Sequence, residues 1–162
     1  MAAGLGRTAI LGVLLAGCQS ALGPEAVVDG LKFSATARVV AVRPPDVPEG
    51  LVLAEVSVRN VSPGPIERTY DGGCFVRRFQ AFHVEGGRRR LAWDSRREPN
   101  WACTDDLAIV ALSPREEAHP HNWGAGVRLS QLRDSLPAGR YEIVIAIQAG
   151  DETLRAGFVD ID

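Results

Sequence analysis

Apolar and polar residues alternate with a period of two along most of this chain, and no window carries a helical stripe. Leu31, Phe33, Ala35, Ala37 and Val39 fall on one side of the first alternating run, with Lys32, Ser34, Thr36 and Arg38 on the other. The pattern predicts a strand over 31–42, stopped by Pro44, Pro45 and Pro48. The clearest strand is predicted over 51–60, where Val52, Ala54, Val56 and Val58 oppose Glu55, Ser57 and Arg59. A Ser-Pro-Gly-Pro turn over 62–65 leads to a third strand over 66–70.

Two further runs, 75–84 and 88–93, flank Glu85-Gly86-Gly87, whose glycines allow the positive φ of a tight hairpin. Residues 95–106 read as an irregular polar loop. Strands are predicted over 107–112 and 118–123, a helical turn within 127–136, and strands over 141–147 and 153–159. Tyr141, Ile143, Ile145 and Ile147 share one face of the penultimate strand, making them predicted core together with Trp93 and Trp123. The fold expectation is all-β: an antiparallel immunoglobulin-like β-sandwich of about eight strands.

The first residues depart from this pattern. Arg7 and the terminal amine precede a short apolar run, Thr8 to Ala16, too short to span a bilayer core of about 30 Å. The run ends in Leu15-Ala16-Gly17-Cys18, which resembles the lipobox of bacterial lipoproteins. Small residues let the chain lie extended in a peptidase groove, and the cysteine offers a thiol for diacylglycerol. The expected organisation is a signal peptide over 1–17, a lipidated tether over 18–30 and one domain over 31–162. Two or three acyl chains hold a protein firmly at a membrane, since each buried methylene contributes about 0.8 kcal/mol. The expected location is the cell envelope, and Gln19 after the lipidated cysteine favours the outer membrane where one exists.

Acylation of Cys18 leaves Cys74 and Cys103 as an even pair. In an oxidising compartment two such thiols form a disulfide, and closing a loop of about thirty residues contributes on the order of 3 kcal/mol. A metal pair is the rival reading, but the spacing is not Cys-x-x-Cys and no histidine stands near either cysteine.

Charge adds one regional feature. Seven arginines (77, 78, 88, 89, 90, 96 and 97) face three acids between residues 75 and 100, a local balance of +4. From residue 101 onward, five arginines face ten acids. If the two regions lie apart, the domain has a charge dipole that would meet an acidic partner or anionic headgroups; otherwise both are solvated faces. The near-neutral total, −2 for the whole chain, gives no reason to expect nucleic-acid binding.

Four segments in order resemble the BsuPI-type intracellular proteinase inhibitor domain, a small immunoglobulin-like sandwich. They are Val56-Ser57-Val58-Arg59-Asn60 before its Ser/Pro turn; Phe79 to Gly87 with the return strand Leu91-Ala92-Trp93-Asp94-Ser95; Leu112 to Glu116 followed by Asn122-Trp123; and Leu136-Pro137-Ala138-Gly139-Arg140-Tyr141. The last resembles the corner at which an immunoglobulin-like tyrosine hydroxyl bonds back to the backbone. The resemblance spans about residues 51–148 and implies a protein-binding sandwich, with proteinase inhibition as the narrower activity. Export and the two cysteines depart from an intracellular family, so the fold transfers more readily than the activity.

The chemistry-bearing residues point to contact rather than catalysis. No Gly-x-Ser-x-Gly segment occurs, no serine is coupled to a histidine by local motif, and no cofactor is expected. His119 and His121 flank Pro120 and would share a strand face, a spacing that suits a metal, or equally two exposed histidines on an edge strand. Candidate partner-binding residues are Arg88, Arg89 and Arg90 on the hairpin, and Arg96, Arg97 and Trp101 in the long loop. Two roles follow: a lipid-anchored module that binds an envelope protein, a protease being one such partner, or a structural lipoprotein that braces an envelope complex.

Overall fold

A computed structural model describes residues 23–40, 50–70, 75–98, 107–120, 123–129 and 136–162. Eleven strands run through these residues: β1 Glu25–Val28, β2 Leu31–Val40, β3 Leu51–Asn60, β4 Ile66–Tyr70, β5 Val76–Glu85, β6 Arg88–Asp94, β7 Ala108–Leu112, β8 Glu117–Ala118, β9 Ala125–Arg128, β10 Gly139–Ile147 and β11 Thr153–Ile161. Every pairing is antiparallel. One sheet has the order β1-β2-β3, with β8 and β9 both on the far side of β3. A second has the order β11-β10-β5-β6, and β4 and β7 form a small third sheet.

The alternation read from the sequence becomes the core. Leu31 and Phe33 of β2 and Val52, Ala54 and Val58 of β3 are fully buried, as are Phe79 and Ala81 of β5 and Tyr141, Ile143, Ile145 and Ile147 of β10. Their polar alternates face outward, so the two larger sheets meet in a sandwich-like arrangement through one hydrophobic layer. An aromatic group closes one end: Phe75 stacks on Trp123 with centroids 3.8 Å apart, and Phe33 and Tyr70 pack around them. Gly86 and Gly87, at φ 55° and 75°, make the two-residue turn between Glu85 and Arg88 that the Gly-Gly pair predicts.

Two buried polar groups tie loops to this frame. The Asn60 side chain, fully buried at the end of β3, donates to the carbonyls of Gly64 at 2.8 Å and Leu112 at 3.0 Å. Its oxygen accepts from the Ser62 amide and hydroxyl, each at 2.8 Å. The Tyr141 hydroxyl donates to the Pro137 carbonyl at 2.5 Å, so the turn before β10 is pinned by the tyrosine as the sequence suggested. Burial pushes this phenol above its ordinary pKa.

Three sequence expectations change. The tether expected through Gly30 contains a strand, because Glu25–Val28 pairs with β2 and Asp29-Gly30 makes a tight turn. Of the strand expected over 118–123, Ala118 lies in β8 and 119–120 are not strand, Trp123 reaches the core from a bend, and 121–122 lie outside the described residues. The expected helical turn within 127–136 starts later than its first two residues, since Val127 and Arg128 belong to β9 while Leu129 is helical, and 130–135 lie outside the described residues. At β1 and β9 the alternation is too short to read, and pairing with another strand decides the structure.

Candidate functional site

The sequence-predicted binding residues do not gather in one patch. Arg88, Arg89 and Arg90 open β6 at the hairpin, whereas Arg96 and Arg97 lie in a short 3₁₀ turn, Ser95–Arg97, beyond its other end. Ser95 is buried, and its hydroxyl accepts from the Phe79 amide at 3.0 Å, so the start of the loop is fastened to β5. Trp101, Cys18, Cys74, Cys103 and His121 lie outside the described residues. His119 stands just past β8, exposed, with Nε2 3.7 Å from Glu117 Oε1. It follows the end of β8, and the face-sharing pair expected with His121 falls outside the described residues. No group of three metal-ligating side chains occurs among the described residues, nor does any helix there that is long and apolar enough to cross a membrane.

The structure assembles a different surface, the outer face of the β11-β10-β5-β6 sheet. Register places Glu142 of β10 between Phe82 of β5 and Phe158 of β11, and Val144 between Gln80 and Arg155. Leu91 of β6 stands opposite Phe82, and Arg89 opposite Val84. This face is apolar at its middle, with arginines laid over it. Arg89 holds its guanidinium carbon 3.7 Å above the Phe82 ring, and Arg140 sits 4.8 Å above Phe158, which stays 46% exposed.

Glu142 explains the arrangement. Its carboxylate is almost fully buried on a face that otherwise meets solvent, because Arg89 Nε lies 2.6 Å from Oε2 and Arg155 Nε 2.5 Å from Oε1. The Arg155 Nε–H is not aimed at the carboxylate, so that contact is ionic rather than a directed hydrogen bond. One carboxylate thus holds two arginines on this face, and the Arg89 guanidinium lies over the Phe82 ring.

A second buried acid lies on the same face. Asp94 accepts from Arg78 Nε at 3.0 and 3.1 Å, and Arg78 Nη2 also contacts it. Gln80 adds a bond at 3.3 Å, and the Arg96 amide adds one at 3.1 Å, capping the 3₁₀ turn. The Arg78 guanidinium holds this carboxyl below the usual aspartate pKa, although burial opposes the shift. Comparison with protein-family models and with curated proteins yields no match.

These pairings revise the charge dipole. Glu142 and Asp151, from the acidic C-terminal region, neutralise Arg89 and Arg77 of the basic region, so the two regions are interleaved in space. Among the described residues Arg88, Arg90, Arg96, Arg97 and Arg140 form no ion pair. Of these, Arg140 stands on this face, over Phe158, whereas Arg88 and Arg90 alternate with Arg89 and Leu91 and project from the other side of β6. Leu91 and Val84, half-buried inside the rim, carried no sequence signal beyond alternation. The importance of Glu142 was invisible because both of its partners are remote in sequence.

Proposed function

We propose that the chain is a lipid-anchored protein of the bacterial cell envelope whose immunoglobulin-like sandwich binds another protein. The contact surface is the outer face of the β11-β10-β5-β6 sheet. The observation that carries this reading is the arginine-rimmed apolar face around Phe82, Leu91 and Phe158, since aromatic residues and arginine are the types enriched where proteins meet. Arg140, which stands over Phe158 with no ion-pair partner among the described residues, favours a partner with an acidic surface.

The immunoglobulin-like assignment is supported by two features. The strand order β11-β10-β5-β6 parallels the G-F-C-C′ sheet of such domains, and the bond from Tyr141 to Pro137 parallels their tyrosine corner. The lipid anchor rests on Leu15-Ala16-Gly17-Cys18 alone. Proteinase inhibition is the narrower form of the proposal and rests on the family resemblance. It is discarded if micromolar protein leaves subtilisin-like and other serine proteases at full rate.

A photo-cross-linking amino acid at Leu91 or Phe158, introduced into the full chain in cells, tests the binding face. The expected result is one acidic protein captured from these sites, lost with Arg140→Glu. Capture only from outward positions of β2, such as Thr36, would refute the assigned face, and capture unaffected by the charge reversal would refute the acidic partner. Labelling with a radioactive fatty acid, abolished by Cys18→Ser, tests the anchor.

A further inference from the structure

The opposite face of the molecule carries a second feature. β3 pairs with β2 along all ten of its residues, but its other side is covered only in part. β9 pairs with Leu51 to Ala54 and β8 with Val58 and Arg59, so Glu55, Val56 and Ser57 have no ladder partner there among the described residues. Pro120 has no N–H to give to a ladder. Gly124 passes so close to β3 that a Cβ on it would lie 3.1 Å from the Ala54 carbonyl oxygen. A cavity of about 360 Å³ opens over the interruption.

Its lining is chemically specific. Ser34 of β2 and Ser57 of β3 stand opposite one another with their hydroxyl oxygens 2.6 Å apart, and Thr36 adds a third hydroxyl. Glu55 and His119 bring a carboxylate and an imidazole, and Leu53 and Pro120 supply apolar surface. Arg38 holds Glu55 through two hydrogen bonds, at 2.9 and 3.1 Å. That contact keeps the carboxylate ionised, below its usual pKa, and offsets its charge.

The walls therefore both donate and accept hydrogen bonds while presenting no uncompensated charge. Such walls suit alcohol groups, which need a donor and an acceptor at once, and they select poorly for a free ion. The volume, near the lower end of small-molecule sites (about 300–1,000 Å³), limits the occupant to roughly one ring. Leu53 and Pro120 offer the apolar contact that the C–H face of a sugar ring requires. We infer that this cavity is a binding site for a neutral polyhydroxylated ligand the size of a single sugar ring. It lies on the sheet face away from the proposed protein-binding surface, and the inference stands independently of that proposal.

Amide NMR of the full chain, titrated with glucose and with N-acetylglucosamine, tests this, with sulfate and glycine as charged controls. The expected result is saturable shifts confined to Ser34, Thr36, Ser57 and Gly124 for a neutral sugar. Ser34→Ala should weaken binding by about three- to tenfold, the equivalent of one neutral hydrogen bond. Thr36→Leu, at an exposed mid-strand position of β2, should abolish binding by filling the cavity while leaving the remaining spectrum in place. The inference is overturned if neither sugar shifts these amides at high millimolar concentration, if only the charged controls do, or if Thr36→Leu binds as the parent does.

Discussion

Removing the Asn60 side chain should destabilise the protein more than any other polar deletion on β3, because that side chain makes four hydrogen bonds from a fully buried position. In Asn60→Ala the Leu112 carbonyl is left without its buried donor, at a cost of about 1–3 kcal/mol. The Ser62 hydroxyl, whose one proton goes to Asn60 Oδ1 in the parent, lies 2.8 Å from the Gly64 carbonyl and can turn to it, so that loss is partly compensated. Loss of the two bonds to Ser62 adds about 0.5–1 kcal/mol each, because that residue is near enough to solvent to be rehydrated. The total is about 3 kcal/mol, or a fall in Tm on the order of 10 °C for a domain of this size.

Asn60→Asp is the sharper test. The acceptor toward Ser62 survives, but a carboxylate oxygen replaces the amine between two carbonyl oxygens. The folded state then favours the protonated acid, which regains one donor, so the folded pKa rises above the unfolded value of about 3.9. The folded form binds more protons between those two values, so the variant loses stability as pH rises through that window and regains it as pH falls. Urea melts at pH 7 and at about pH 5 should show the gap between parent and Asn60→Asp narrowing with acid. A gap that is constant or widens on acidification would refute the assigned hydrogen-bond directions. A cost below about 1 kcal/mol for Asn60→Ala would refute the importance of the cluster.

Asp94 should behave in the opposite sense, since Arg78 depresses its pKa. Its contribution is fully present above the unfolded aspartate value and is lost as pH falls through the lower folded value. Asp94→Asn should therefore cost about 2 kcal/mol in neutral urea melts, with the difference from the parent vanishing in strong acid. Arg89 and Arg155 share one carboxylate, so a double-mutant cycle of Arg89→Ala and Arg155→Ala should be non-additive by about 1 kcal/mol. Additive costs would mean that Glu142 does not couple them. Tyr141→Phe removes only the bond to the solvent-accessible Pro137 turn and should lower stability by about 1 kcal/mol, near 3 °C in Tm by calorimetry. No change would show that the corner is not fastened by the hydroxyl.

Much of this architecture is legible in one dimension. Period-two alternation marks β2, β3, β5 and β10 and sorts their residues between core and solvent, because a strand's faces are set by local geometry alone. Gly86-Gly87 specifies a tight turn for the same reason, and Tyr141 sits where the sequence predicts a corner. The N-terminal lipobox-like segment and the cysteine count are likewise readings of the sequence alone, lying outside the described residues.

Alternation says which face a residue takes, but not which residue stands beside it. The meeting of Arg89 and Arg155 at Glu142 depends on β10 lying in the middle of its sheet, with β11 on one flank and β5, then β6, on the other. The same pairing turns an apparent charge dipole into interleaved ion pairs. β1 is a strand only because β2 turns back on it, and β8 and β9 are short because their pairing partner, β3, is shared between them. The cavity over Glu55 to Ser57 exists in that shared edge and nowhere in the sequence pattern. Faces follow from local backbone geometry, whereas neighbours follow from long-range register, which only the folded chain decides.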